Sequence, residues 1–395
     1  MNDRQKILIM SNSIMSLINF KYELLERLID EKFEVYFSIP ESKKDTNVKK
    51  LIELGCNYIE TNLDRRSTNP VKDLNLIKQY KDIIKYAKPD AILSYTIKPN
   101  IYGSYVAKKY KIPIIINITG LGSGFNNTYT KILVETMYKY ACKNASCIFF
   151  QNEANYNYFI ENKIAKKDKS KIVPGSGVNL EKFKPMEKTK EDGIVRFLFI
   201  GRIMKEKGIE EYLKAAEYIT NKYSNVEFQI LGPFEEEKYK EIILNHKNSK
   251  IKYLGVSYDV RNEIKEVDCI INPTYHEGMS NVLLEGAAMV KPLMASNIPG
   301  CREIIDNGVN GYLFEPKNEK NLIDTIEKFL TLNEIEKNKM GLASRQKVER
   351  TFDRNIIIKA YLEEIYKILK YKKENIELNI WSKLIMSRWK KCLMF

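Results

Sequence analysis

The sequence predicts two doubly wound α/β domains in tandem, and three observations predict them. Short apolar segments alternate with helix-period segments along nearly the whole chain. The apolar segments are near-continuous runs of Ile, Leu, Val and Phe, as expected of parallel strands covered on both faces. A polar stretch with one proline, Lys182–Gly193, separates two such cycles. A chain of 395 residues is also too long for one ordinary core.

In the first cycle Lys6–Ser11 reads as a strand, and Leu17–Ile29 follows with helical spacing. Glu34–Ile39, Asn57–Thr61, Ala91–Thr96, Ile112–Thr119 and Cys147–Gln151 read as further strands. Leu74, Ile77 and Ile84 belong to a helix-period stretch between them. The second cycle begins with the strand Arg196–Gly201 and the stripe Ile209, Leu213, Ala216 and Ile219. Glu227–Gly232, Ile251–Gly255, Cys269–Thr274 and Pro292–Ser296 continue it. The expected domains are 1–185 and 186–354. A helix over 355–372 is expected to cross back to the first, and a basic amphipathic tail covers 373–395. Such sheets bind ligands beyond the carboxyl ends of their strands, so two facing domains would gather those ends around one interdomain cleft.

Composition narrows the function classes. No segment approaches the roughly 18 consecutive apolar residues of a membrane-spanning helix. The N-terminus enters a strand-like stretch at once, which predicts a cytoplasmic protein. The six cysteines form no CxxC pair and most sit in apolar runs, so buried free thiols are expected rather than a metal site or a disulfide scaffold. The net charge of +14 suits an anionic partner, although dispersed lysines also serve as solvated helix faces. Nucleic acid is disfavoured, because no binding motif stands out and aromatic platforms are lacking outside the tail.

Two segments carry chemistry. Gly201-Arg202-Ile203-Met204-Lys205-Glu206-Lys207-Gly208 lies between a strand and a helix. Its terminal glycines permit close approach of a ligand. A guanidinium can grip phosphate oxygens bidentately while an ammonium adds a mobile charge, a combination suited to a diphosphate. The alternative is a solvated basic loop. The second segment runs from Glu277 through Gly278, Met279, Ser280, Asn281 and Val282 to Glu285, followed by Gly286-Ala287-Ala288. It opens a helix, whose N-terminus can hold an anion on backbone N–H groups. Glu277 and Glu285 bracket it and can accept hydrogen bonds from sugar and ribose hydroxyls. A plain capping arrangement with Glu285 in solvent would produce the same pattern.

Together the two segments resemble the signature of glycosyltransferase family 4, the retaining enzymes of GT-B fold: G-R-x-x-x-x-K-G followed by E-x7-E. The resemblance extends through Val173-Pro174-Gly175-Ser176-Gly177-Val178-Asn179, Asn297-Ile298-Pro299-Gly300, Glu303-Ile304-Ile305 and Asn310-Gly311. It implies a GT-B architecture and a donor site of Gly201, Arg202, Lys207, Val256, Gly278, Met279, Ser280, Asn281, Val282 and Glu285. Arg202 and Lys207 would neutralise the departing pyrophosphate and Glu277 would touch the transferred sugar; these three form the implied catalytic set. Glu285 would hold the ribose, Val256 would lie by the base, and the amides of Met279, Ser280 and Asn281 would face sugar and phosphate.

The first half resembles a narrower group that builds capsules, O-antigens and lipid-linked glycans. Its marks are Arg65-Arg66-Ser67-Thr68-Asn69-Pro70, the run from Tyr95 to Gly103, and Asn117-Ile118-Thr119-Gly120-Leu121-Gly122. An acceptor site of Ser13, Lys98, Asn100, Thr119 and Gly120 is expected. Lys98 is the candidate contact for an acceptor pyrophosphate, unless it is simply an exposed lysine. The chain departs from the family twice. Ser11-Asn12-Ser13-Ile14 replaces a glycine pair, and Thr119 stands where many members have a histidine. The only histidines, His246 and His276, lie in the second half, and catalysis by positioning is expected.

The resemblance implies transfer of a hexose or N-acetylhexosamine from a UDP-sugar, with GDP as the alternative, to an undecaprenyl-diphosphate-linked glycan. No D-x-D triplet is present, and no metal or other cofactor is expected. From Tyr371 to Phe395 six Lys/Arg and two Glu interleave with both tryptophans, which suits an interfacial helix on an anionic membrane or docking onto the first domain. A protein peripheral at the inner face of the cell membrane follows. A sugar-nucleotide epimerase and a non-catalytic sugar-nucleotide-binding protein are the competing readings.

Overall fold

In the computed structural model residues 4–64, 69–120 and 128–370 are described. The Arg65-Arg66-Ser67-Thr68 and Leu121-Gly122 marks and the tail over 373–395 lie outside them. The chain divides into two compact units, one of residues 1–150, 155–172 and 358–395, the other of 151–154 and 173–357.

The first unit is built on β1 (Lys6–Met10), β2 (Glu34–Ile39), β3 (Asn57–Glu60), β4 (Ala91–Tyr95), β5 (Ile114–Ile118), β6 (Cys147–Phe150) and β7 (Ser170–Ile172). They pair in parallel in the order β3-β2-β1-β4-β5-β6-β7. The central strands are apolar because both faces are covered: Leu8, Ile92, Ile116 and Ile148 are fully buried. Helices α1 (Ile14–Phe20), α2 (Tyr22–Asp30), α3 (Thr46–Glu53), α4 (Pro70–Ala87), α5 (Ile97–Lys109), α6 (Thr128–Asn144) and α7 (Glu153–Glu161) connect them. The order of winding reverses between β1 and β4, the switch point at which such parallel sheets open a ligand crevice.

The second unit repeats the plan with β8 (Val195–Ile200), β9 (Val226–Leu231), β10 (Ile251–Tyr253), β11 (Cys269–Asn272), β12 (Leu293–Ser296) and β13 (Gly311–Phe314), in the order β10-β9-β8-β11-β12-β13. Its helices are α8 (Ile209–Lys222), α9 (Lys238–Leu244), α10 (Arg261–Lys265), α11 (Asn281–Ala288), α12 (Glu319–Leu330) and α13 (Glu334–Thr351). A last helix, α14, covers 354–370, and its residues from Ile358 onward belong to the first unit. Phe197, Tyr212, Phe228 and Phe329 form an aromatic cluster beneath this sheet.

Three expectations change. Residues 173–185 lie with the second unit rather than the first, because Val178 and Phe183 enter its core. The single helix expected over Leu17–Ile29 is two, broken at Lys21. That lysine is buried, and its ammonium lies 4.9 Å from the Tyr95 ring centre and 5.0 Å from that of Tyr361. The edge strands β7 and β13 carry no mark in the sequence, because Ser-Lys-Ile and Gly-Tyr-Leu-Phe are too short to show a period. Cys56, Cys142, Cys147, Cys269 and Cys301 are buried free thiols. No helix among the described residues is long and apolar enough to cross a membrane.

Candidate active site

The second sheet turns both chemical segments toward the carboxyl edge of its strands. Gly201 and Arg202 follow β8, Val256 follows β10, and Glu277 follows β11. Lys205–Lys207 forms a single 3-10 turn, and Gly208 closes it in the left-handed region (φ +74°) before α8 begins. A β-carbon on Gly208 would lie 2.1 Å from Pro273 O, so only glycine lets this turn sit against the β11 loop.

The two loops are then joined by hydrogen bonds. Tyr275 N donates to Glu206 O (2.9 Å), Thr274 Oγ1 to the same carbonyl (3.3 Å), and Tyr275 Oη to Glu211 Oε1 (2.7 Å). Across this junction Lys207 forms an ion pair with Glu277, both side chains largely shielded. Arg202 is half exposed, with Glu235 at 3.7 Å. One cation and one carboxylate of the implied catalytic set thus touch, and the second cation lies on the same edge. Val256 is exposed beyond β10, and His276 is exposed in the loop.

Ser280 caps α11 by accepting from Leu283 N (3.4 Å), and it is held in place by Asn272 Nδ2 (2.7 Å). The expectation that the Ser280 amide faces a ligand is corrected: it donates to Gly300 O at 2.9 Å. Gly300, at φ +88°, packs so closely on Glu277 and Gly278 that a β-carbon would come within 2.9 Å of both. Met279 is buried against Gly175, where a β-carbon would lie 2.5 Å from Met279 Cγ. The family segments around Gly175 and Gly300 therefore brace the Glu277 loop from two sides. Asn152 Nδ2 adds a bond to Gly278 O (2.6 Å). Nothing in the sequence distinguished Asn152, which lies far from the loop along the chain. On the first turn of α11, partly buried with Val282, Asn281 keeps a buried side-chain oxygen without a hydrogen-bond partner among the described residues.

Glu285 is partly buried rather than solvated. Desolvation pushes its carboxyl up to about 7, against the lowering pull of Lys182 and Arg354 and with a smaller raising contribution from Asp259. A carboxyl whose ionisation is opposed by burial, on the helix that follows the carboxyl edge of such a sheet, marks a candidate functional site.

The acceptor residues divide. Thr119 and Gly120 lie just beyond β5 at the carboxyl edge, and a β-carbon on Gly120 would meet open space. Ser13 is buried at the start of α1, where its N–H reaches Ser11 Oγ at 3.5 Å. Asn100 is corrected. It is fully buried, accepting from Ser94 Oγ (2.7 Å) and donating to Asn117 O (2.8 Å), so it ties β4, α5 and β5 together and cannot reach an acceptor. Lys98 is neither exposed nor free: Nζ donates to Asp73 Oδ1 (2.8 Å), and Tyr102 Oη donates to the other carboxylate oxygen (2.7 Å). This group borders a cavity of about 300 Å³ lined also by Asn62, Asp64 and Lys72. The Asp73 partner, one helix away, could not be read from the sequence. Among the described residues no three His, Cys, Asp or Glu side chains are grouped to hold a metal ion.

Known proteins resemble the chain over most of its length. The family model described as Glycosyl transferase 4-like matches residues 6–152, and that described as Glycosyl transferases group 1 matches residues 181–347. The N,N'-diacetylbacillosaminyl-diphospho-undecaprenol alpha-1,3-N-acetylgalactosaminyltransferase of Campylobacter jejuni is 28% identical over 91% of this chain and 98% of its own. The UDP-Gal:alpha-D-GlcNAc-diphosphoundecaprenol alpha-1,3-galactosyltransferase of Escherichia coli is 28% identical over 63% of this chain and 68% of its own. Among solved structures, a glycosyltransferase from Rickettsia africae superimposes with a TM-score of 0.75 at 23% identity, covering 93% of this chain and 99% of that one. Anabaena HepE in complex with UDP does so with a TM-score of 0.75 at 15% identity, covering 92% and 100%. At these identities the structural likeness speaks for the fold.

Proposed function

The chain belongs to the 4-like and group 1 glycosyltransferases of GT-B fold, and from that premise we propose a retaining, metal-independent transfer of a hexose or N-acetylhexosamine. The donor is a UDP-sugar, and the acceptor is a glycan on undecaprenyl diphosphate at the inner face of the membrane. The acceptor class is inferred from the Campylobacter and Escherichia relatives, whose names carry it.

One observation supports the donor half above all others: the Lys207–Glu277 pair on the carboxyl edge of the second sheet. Lys207 is a mobile cation already placed beside the carboxylate that would contact the sugar. On donor binding it would exchange Glu277 for the β-phosphate, leaving Glu277 to accept from sugar hydroxyls. Arg202 would neutralise the same diphosphate as the sugar–oxygen bond breaks. The dipole of α11 adds to this, through the Met279 and Asn281 amides rather than that of Ser280. The Asn281 oxygen, without a partner among the described residues, would accept from a donor hydroxyl, and Glu285 from the ribose. In a front-face displacement the leaving phosphate oxygen takes the acceptor hydroxyl's proton, so no histidine is required and configuration is retained.

A thermal-shift panel of UDP, GDP and ADP, followed by UDP-sugars, tests the donor. A ligand at about 100 times its Kd stabilises the fold by roughly 2.7 kcal/mol, enough to move the melting temperature measurably. UDP should stabilise most. Stabilisation by none of them would overturn the donor assignment.

A further inference from the structure

An acidic run lies beside the cations assigned to the donor diphosphate. Glu235-Glu236-Glu237 follows β9, on the same carboxyl edge of the second sheet as Arg202 and Lys207. Three consecutive carboxylates make the local potential more negative, so an edge that is to take a diphosphate needs a reason to carry them.

The backbone fixes where they stand. Gly232, at φ +143°, packs so tightly that a β-carbon would lie 1.9 Å from Gly201 O. Beyond it Ile203 N donates to Pro233 O (2.8 Å), and the amides of Glu235 (3.1 Å) and Glu236 (3.4 Å) donate to Ile203 O. The loops after β8 and β9 therefore run side by side. Glu236 holds the catalytic turn: its Oε1 accepts from Lys205 N (2.9 Å), and its Oε2 lies 3.3 Å from Lys238 Nζ. Glu237 turns away to Lys240 at 2.9 Å. Glu235, exposed, faces the Arg202 guanidinium at 3.7 Å.

An ion pair this exposed contributes little to the fold. Its effect falls on the ligand. A phosphate that reaches Arg202 has to displace Glu235 and then remains beside its negative charge, at a cost that grows with the charge of the phosphate. The diphosphate of a nucleotide-sugar carries about two negative charges. The nucleoside diphosphate left after transfer carries about three near neutral pH, because its terminal phosphate has lost the ester. Glu277, the carboxylate on Lys207, would be taken up by sugar hydroxyls, whereas Glu235 stays opposed to the diphosphate throughout.

We infer that Glu235 is a specificity-determining counter-ion: by competing for Arg202 it weakens binding of the nucleoside diphosphate product more than that of the nucleotide-sugar, and so favours exchange of spent product for fresh donor. This role rests on the proposed donor site.

Isothermal titration of the full chain with UDP, UDP-glucose and uridine, for wild type and Glu235→Gln, tests it. UDP-glucose serves as a diphosphate ester whichever sugar is native, and uridine as the uncharged probe. The position is exposed, so glutamine there leaves the fold intact. The variant should bind UDP about tenfold more tightly, UDP-glucose about threefold more tightly and uridine equally. Both gains should shrink in roughly 0.5 M salt. In turnover, added UDP should inhibit the variant more strongly than wild type. Glu237→Gln should leave all three affinities within about twofold, since its carboxylate is turned to Lys240. Unchanged UDP affinity in Glu235→Gln would overturn the inference, and so would weaker binding, which would make Glu235 a positioning residue for Arg202. Equal gains for UDP and UDP-glucose, or an equal gain from Glu237→Gln, would overturn it as well. Absence of UDP binding by wild type and variant alike is a distinct result: it would overturn the proposed donor site, and this role with it.

Discussion

Replacing Glu285 with glutamine should stabilise the protein at alkaline pH and leave it nearly unchanged in mild acid. Burial pushes the carboxyl from an ordinary 4.5 up to about 7, even with Lys182 and Arg354 pulling it down. At about 1.4 kcal/mol for each tenfold change in the ionisation constant, keeping this carboxylate charged costs roughly 3 kcal/mol of folding stability. The sign follows from proton linkage. Between 4.5 and 7 the folded state binds more protons than the unfolded one, so stability falls as pH rises through that window and the full cost is present above 7. Glutamine keeps the shape and has no such cost. Urea midpoints without nucleotide, taken at about pH 5 and about pH 8, should differ little between wild type and variant at the lower pH and favour the variant by roughly 2–3 kcal/mol at the higher. A difference that does not grow with pH would refute the argument that Glu285 is held under desolvation. Where ribose hydroxyls donate to Glu285 they favour its ionised form. Affinity for an intact nucleotide-sugar should then rise with pH up to about 7 in the wild type, and stay flat in the glutamine variant.

Three further outcomes follow from named contacts. Gly208→Ala combines a left-handed backbone with a β-carbon 2.1 Å from Pro273 O, so denaturant unfolding should show a loss of about 2–4 kcal/mol and kcat/KM should fall with it. Asn100→Ala leaves Ser94 Oγ and Asn117 O without their buried partner; it should cost about 2–3 kcal/mol of stability while nucleotide-sugar affinity is retained. Chelation with EDTA should leave the turnover rate unchanged, and activity abolished by EDTA and restored by Mg²⁺ would contradict a metal-independent reaction.

The fold and the placement of Arg202 and Lys207 at the carboxyl edge of the second sheet were legible in the sequence for physical reasons that the first unit's candidate residues lack. Parallel strands buried on both faces announce themselves as runs such as Ile7–Met10 and Phe197–Ile200, and a strand, a glycine-bounded turn and a helix place Arg202 and Lys207 at the carboxyl edge. Pairings across the fold left no such mark. Lys98 reads as an available cation until Asp73 arrives from α4, and Asn100 reads as an edge residue until Ser94 and Asn117 enclose it. The pull of the Ser280 amide toward Gly300, and the break of the first helix at the buried Lys21, likewise depend on partners distant along the chain.

The central claim is that the carboxyl edge of the second sheet carries out sugar transfer from a nucleotide donor. Release of UDP from a UDP-sugar in the presence of a prenyl-diphosphate-linked glycan, followed alongside the glycosylated product for wild type and Lys207→Ala, tests it most directly. The account predicts acceptor-dependent UDP release matched by product, with the variant's kcat lower by about 10²–10³ because a cation facing the leaving diphosphate is gone. Near-normal turnover by Lys207→Ala would contradict it.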